Sequence, residues 1–181
     1  MSQTLNIGII LGSTREGRVS PQVGEWVLKQ SEKNNRANFE LVDIKDYNLP
    51  LLGESNDTSG VEKWNAKLNE LDGFIFIVAE YNHSMTGALK NAIDSAREAW
   101  WHKSAGIVSY GSGGGVRAAE HLRGVLGEMN IADVRSHVLL SLFNDFENFS
   151  TFKPQSVHEE PLQDLFNQVI DWGEALKPLR Q

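Results

Sequence analysis

Five short apolar runs punctuate the chain: LNIGIIL (5–11), FELVDI (39–44), FIFIVA (74–79), AGIVSY (105–110) and VRSHVLLSL (134–142). They are rich in β-branched and aromatic residues and predict five strands. Between them the apolar residues switch to helical spacing. Val61, Trp64, Leu68 and Leu71 form one stripe; Leu89, Ala92, Ile93, Ala96 and Trp100 another; Ala119, Leu122, Leu126 and Met129 a third. Val23, Trp26 and Val27 mark a first helix, and Leu162, Leu165, Phe166, Val169, Trp172 and Leu176 a last one. Such alternation predicts an α/β fold, because right-handed crossovers between parallel strands place helices on both faces of the sheet. No repeat, low-complexity stretch or linker interrupts the pattern, and 181 residues suit a single domain over 1–181.

Composition narrows the chemistry. With 17 basic against 24 acidic residues the net charge is −7, which gives no general attraction for nucleic acid or an anionic membrane. No apolar run is long enough for a bilayer, and the first residues lack the basic start and apolar core of a signal peptide, so a cytoplasmic protein without membrane insertion is expected. Cysteine is absent. Thiol nucleophiles, disulfides and cysteine-held clusters are therefore excluded, and any redox reaction needs a bound cofactor. The five histidines show no metal spacing, and no metal is expected.

In a parallel sheet of this kind a ligand belongs beyond the carboxyl ends of the strands, at the switch point of the topology. Three loops qualify. GSTREGRVSP (12–21) follows the first strand and combines two glycines, three hydroxyls and two arginines, the groups that hold an anion at the mouth of a helix. Ser20 followed by Pro21 reads as N-cap and first helical residue. AEYNHSMTGALKNAID (79–94) breaks from strand to helix at Glu80, with the helix beginning near Thr86. SYGSGGG (109–115) carries four glycines that let backbone approach a flat or bulky ligand, with Tyr110 able to stack on it. The first loop lacks the Gly-Lys-Ser/Thr ending of a nucleoside triphosphate site, and the Gly-x-Gly-x-x-Gly of a dinucleotide site is missing. Taken singly each loop suits any α/β protein. A strand order 2-1-3-4-5 would bring all three to one edge.

GSTREGRVS, EYNHSMTGALKNAID and SYGSGGG resemble the signature loops of the NADPH-dependent FMN reductase family, flavodoxin-like quinone, azo-dye and chromate reductases. The resemblance runs from the first strand to about residue 130. It implies a flavodoxin-like three-layer sandwich with a five-stranded parallel sheet of order 2-1-3-4-5, non-covalent FMN, NADPH or NADH as co-substrate, and a homodimer or homotetramer. It also implies that Ser13, Arg15 and Ser20 hold the FMN phosphate, that Tyr81, Asn82 and Ser84 line the flavin, and that Gly111, Ser112, Gly113 and Gly114 pass along the other edge of the ring. Gly12, Arg18, Glu80 and Tyr110 complete the expected contacts. Arg15 is the expected charge partner of the phosphate, with Arg18 second or else facing solvent or the nicotinamide substrate. On this reading the flavin carries the chemistry, no side-chain acid or base is needed, and a quinone, azo compound, metal oxyanion or free flavin is the small-molecule acceptor. An electron carrier of the flavodoxin kind and a flavin-binding module remain as alternatives.

The chain departs from the family pattern at Ala79 and Thr86, where prolines are usual, and the loss of two fixed φ angles predicts a looser flavin loop. Asn82 is expected to matter to flavin geometry rather than to folding. Asn91 is expected as structural support, His83 as a solvated loop residue, and Trp100 and Trp101 as core or subunit interface. The segment 144–160, with three phenylalanines, is expected to fold compactly or to cover a neighbouring subunit's site.

Overall fold

The computed structural model describes residues 4–180. Five parallel strands, β1 (Leu5–Leu11), β2 (Ala37–Asp43), β3 (Gly73–Ala79), β4 (Lys103–Gly111) and β5 (Ile131–Ser141), form one sheet in the order 2-1-3-4-5. Ile44 begins a 3₁₀ turn instead of ending β2 and Leu142 falls just past β5, but otherwise each apolar run becomes a strand, extended by up to three residues at an end. β3 shows why: its seven residues are all buried, with Phe74, Phe76 and Val78 facing one side and Ile75, Ile77 and Ala79 the other. A strand covered on both faces reads as continuous apolar sequence.

Helices α1 (Ser20–Ser31) and α5 (Glu159–Leu176) cover one face, sealing Val23, Val27, Leu162, Leu165 and Phe166 against β1 and β4. Helices α2 (Ser59–Asn69), α3 (Gly87–Asp94) and α4 (Val116–Glu128) cover the other around Trp64, Trp100, Phe74 and Phe76. The stripe from Leu89 to Trp100 is not one helix. α3 ends at Asp94, and a 3₁₀ turn (Glu98–Trp100) returns Trp100 to the core, fully buried. The end is fixed by competition for its last carbonyls: the Trp64 indole donates to Ala92 (2.7 Å) and the Trp100 indole to Ile93 (3.1 Å). Trp100 is thus core. Asn91 supports the preceding loop, donating to the Pro50 carbonyl (2.9 Å) and accepting from Leu52 N–H (3.1 Å). No helix among the described residues is long and apolar enough to cross a membrane.

The segment after β5 folds as a small antiparallel hairpin, β6 (Phe146–Glu147) and β7 (Thr151–Phe152). Asp145, almost fully buried, anchors it by accepting from Ser141 N–H (2.8 Å) and Gln155 N–H (3.2 Å) and by meeting His158 Nε2 (2.9 Å). Gln22 of α1 donates to Ser150 and accepts from Phe152, both at 2.9 Å, and Trp26 meets the Phe152 ring edge-on at 5.7 Å. The hairpin is therefore clamped beside the first loop of its own chain.

Candidate active site

The first loop leaves the sheet flush against β3. Gly12 N–H donates to the Ile77 carbonyl (3.0 Å), and a Cβ on Gly12 would stand 2.7 Å from that oxygen, closer than any side chain tolerates. Arg18 then folds back. Its guanidinium donates to the Ser13 carbonyl and grips both carboxylate oxygens of Asp43, at the end of β2, one of them at 2.8 Å. With only 12% of its side chain exposed, Arg18 is turned inward and its charge is paired with Asp43. Arg15 stays exposed, and its Nε donates to the Tyr81 hydroxyl at 3.1 Å. α1 begins one residue earlier than expected: Val19 is the N-cap and Ser20 the first helical residue. Ser20 therefore makes no cap. Its hydroxyl is buried without a partner, beside the Tyr110 phenol but joined to it by no hydrogen bond of normal geometry. Ser13 is almost completely buried.

The second loop is a tight reversal. Tyr81 and Ser84 exchange backbone hydrogen bonds of 2.9 and 3.0 Å around Asn82 (φ 47°) and His83 (φ 76°), the sign pattern of a type I′ turn. Tyr81 is left half-exposed at the edge, and Ser84 Oγ lies 3.0 Å from His121 Nδ1. His83 is exposed, as expected of a loop residue, with its ring 5.9 Å from that of His121 and Arg117 donating to its Nδ1 (3.4 Å). Glu80 borders the hollow between the loops and directs its carboxylate to the start of α4. Its carboxylate accepts from Arg117 N–H (3.1 Å), Ala118 N–H (3.3 Å) and the Arg117 guanidinium, and so caps α4. That helix starts after Gly115, which has no side chain to offer, and its orphan N–H groups draw the nearest carboxylate. Burial pushes the Glu80 carboxyl up, but Arg117 and the helix N–H groups outweigh this and hold it below the usual carboxylate value.

The expected looseness at Thr86 is corrected by its hydroxyl. Thr86 N-caps α3, accepting from Leu89 N–H (3.0 Å), while donating to the Gly12 carbonyl. The hydroxyl thus ties the second loop to the first.

In the third loop, Gly114 (φ 72°) and Gly115 (φ 74°) are left-handed, and a Cβ on Gly115 would press within 3 Å of Tyr110 backbone atoms. Gly115 thus shapes the loop together with Gly114, a role that the glycine run itself signals. Ser112 and Gly113 sit exposed at the tip. Behind the loop, Ser109 Oγ donates to the Gly114 carbonyl (2.6 Å) and lies 2.8 Å from His137 Nε2. A carbonyl only accepts and the hydroxyl has one proton, so His137 Nε2 must carry a hydrogen and donate. Burial, aided by Arg123, lowers the His137 pKa to about 4. Tyr110 is 6% exposed and packs on Phe146, so it forms the floor of the cleft rather than a stacking platform. Burial pushes its phenol well up.

The three loops meet around a hollow of about 130 Å³ bordered by Arg15, Val19, Tyr81, Tyr110, Gly111 and Phe149. A larger hollow of about 400 Å³ lies between Thr14, Lys45, Leu51 and Asn91. The smaller one gathers residues from all three loops and is the better candidate site, although its size means that Arg15 and Tyr81 must part for a large ring to enter. Phe149, from the tip of the β6–β7 hairpin, was not expected there.

A five-stranded parallel sheet in this order with helices on both faces, its first, third and fourth strands each followed by a loop at one edge, defines the flavodoxin-like class. The sequence profile of the NADPH-dependent FMN reductase family matches residues 5–145. The NAD(P)H-dependent FMN reductase LOT6 of Saccharomyces cerevisiae is 31% identical over 186 residues, covering 92% of this chain and 97% of that protein. A quinone reductase of Escherichia coli is 31% identical over 134 residues, covering 70% and 71%. The structure of FerB, a flavoenzyme NAD(P)H:(acceptor) oxidoreductase from Paracoccus denitrificans, shares the fold with a TM-score of 0.75 at 18% identity, covering 96% of this chain and 99% of that one. The chain belongs to the NADPH-dependent FMN reductase family. It is an oxidoreductase that uses FMN and NAD(P)H and passes electrons to a small-molecule acceptor.

Proposed function

We propose that FMN binds in the cleft between the three loops and that the acceptor is a quinone. The orphaned Ser20 hydroxyl at the start of α1 carries this placement, since a buried donor without a partner costs about 1–3 kcal/mol and a phosphate oxygen would satisfy it. Free N–H groups of the first turn, Ser13 and the exposed Arg15 supply the remaining donors. Arg18 acts from behind, pinning the Ser13 carbonyl and Asp43 so that the loop is formed before the ligand arrives. Tyr81, Asn82 and Ser84 border one edge of the ring, and Gly111 to Gly115 the other, where backbone N–H groups can meet negative charge.

Bound FMN supplies two-electron hydride chemistry between the nicotinamide and the acceptor. The chain positions the ring, leaves one face open and lets the two substrates use that face in turn. No side-chain acid or base is required. The naming of quinone reductases among relatives supports the acceptor.

Titration tests the phosphate contact. Charge-assisted hydrogen bonds are worth about 1.5–3 kcal/mol, so Arg15→Ala should weaken FMN binding roughly 10- to 150-fold and leave riboflavin affinity nearly unchanged. Equal losses for both ligands would remove Arg15 from the phosphate. Steady turnover with NADPH and a quinone tests the acceptor.

A further inference from the structure

The β6–β7 hairpin lies beyond the family match, which ends at residue 145, yet its tip borders the cleft. Ser150 N–H donates to the Glu147 carbonyl (3.1 Å) across Asn148 (φ 50°) and Phe149 (φ 58°). Both central residues are left-handed, as in a type I′ turn, for which Asn-Gly is the favoured pair. Asn148 suits its place. Phe149 does not: a bulky side chain in this region is disfavoured by about 1–2 kcal/mol, and the ring is left 60% exposed instead of buried in return. The ring it meets edge-on at 5.7 Å, Phe143, is itself 66% exposed. Phe149 thus lowers backbone stability and contributes little to the core. The hairpin holding it is firmly clamped by Gln22, Trp26 and Asp145. A strained, exposed apolar ring on a fixed support at a ligand cleft is what a binding contact requires.

We infer that Phe149 is a specificity-determining residue that packs on a flat aromatic acceptor in the cleft and selects it over small inorganic oxidants. The inference rests on the placement of FMN proposed above. An aromatic contact suits a quinone, whose ring offers a face and an edge, and gives nothing to an oxidant such as ferricyanide.

The decisive variant is Phe149→Gly, which creates the favoured Asn-Gly turn. Its melting temperature should rise, since strain is relieved. kcat/KM for a naphthoquinone should fall about 3- to 10-fold relative to that for ferricyanide, and Phe149→Tyr should retain quinone activity. FMN dissociation constants are measured alongside. Quinone and ferricyanide rates that stay level, or that fall together with weakened FMN binding, would overturn the assignment. If the parent protein fails to bind FMN at all, the cofactor placement fails instead, a result distinct from either. A lowered melting temperature would show that Phe149 is kept for folding and would also overturn the inference.

Discussion

Asn82 shows how one torsion angle changes an expectation. From sequence it belonged to ligand geometry alone, but its φ of 47° makes it part of the turn that joins Tyr81 to Ser84. Asparagine tolerates the left-handed region and alanine does not. Asn82→Ala should lower apoprotein stability by about 1 kcal/mol, whereas Asn82→Gly should be nearly neutral, as chemical denaturation would report. His137 offers a second prediction at this scale. Its pKa falls from 6.5 to about 4 on folding, so the unfolded chain binds the extra proton between those values. Stability should therefore rise as pH increases from 4 to 6.5, with a slope from this group of at most about 1.4 kcal/mol per pH unit. In His137→Gln that part of the slope should vanish, while the amide can still donate to Ser109.

Between elements, the decisive contacts are single groups that join loops distant in sequence. The Thr86 hydroxyl serves α3 and the Gly12 carbonyl at once, so it replaces the rigidity of the family's proline by a tether. Thr86→Ala should cost about 1–2 kcal/mol in stability and weaken FMN binding, whereas Thr86→Ser should restore most of both; paired melting curves and titrations would check this. The strands were legible because burial, complete on both faces in β3 and β4, writes apolar runs into the sequence, and the loops because glycine and hydroxyl residues cluster after those runs. The strand order came from the family resemblance of the loops, since apolar runs do not record which strands are neighbours. What the sequence concealed were partnerships across space. Arg18 with Asp43, Glu80 with the start of α4, and Thr86 with Gly12 each depend on which side chain the fold brings near, and no local spacing records it. α3 ended early for the same reason, its last carbonyls being taken by two indoles.

Across the whole molecule, charge is distributed so that the net −7 does not govern the cleft. Arg18 spends its charge on Asp43, which leaves Arg15 as the exposed guanidinium of the first loop. The consequence concerns ionic strength. A phosphate held by two exposed cations would lose affinity steeply as salt is added; one held mainly by helix N–H groups, buried hydroxyls and a single cation responds weakly, since short buried contacts are little screened. FMN binding measured from 20 to 500 mM NaCl should decline only a few-fold, and Arg15→Ala should flatten even that decline. Asp43→Asn would release Arg18 to act as a second mobile charge, and the variant's affinity should become the more salt-sensitive of the three.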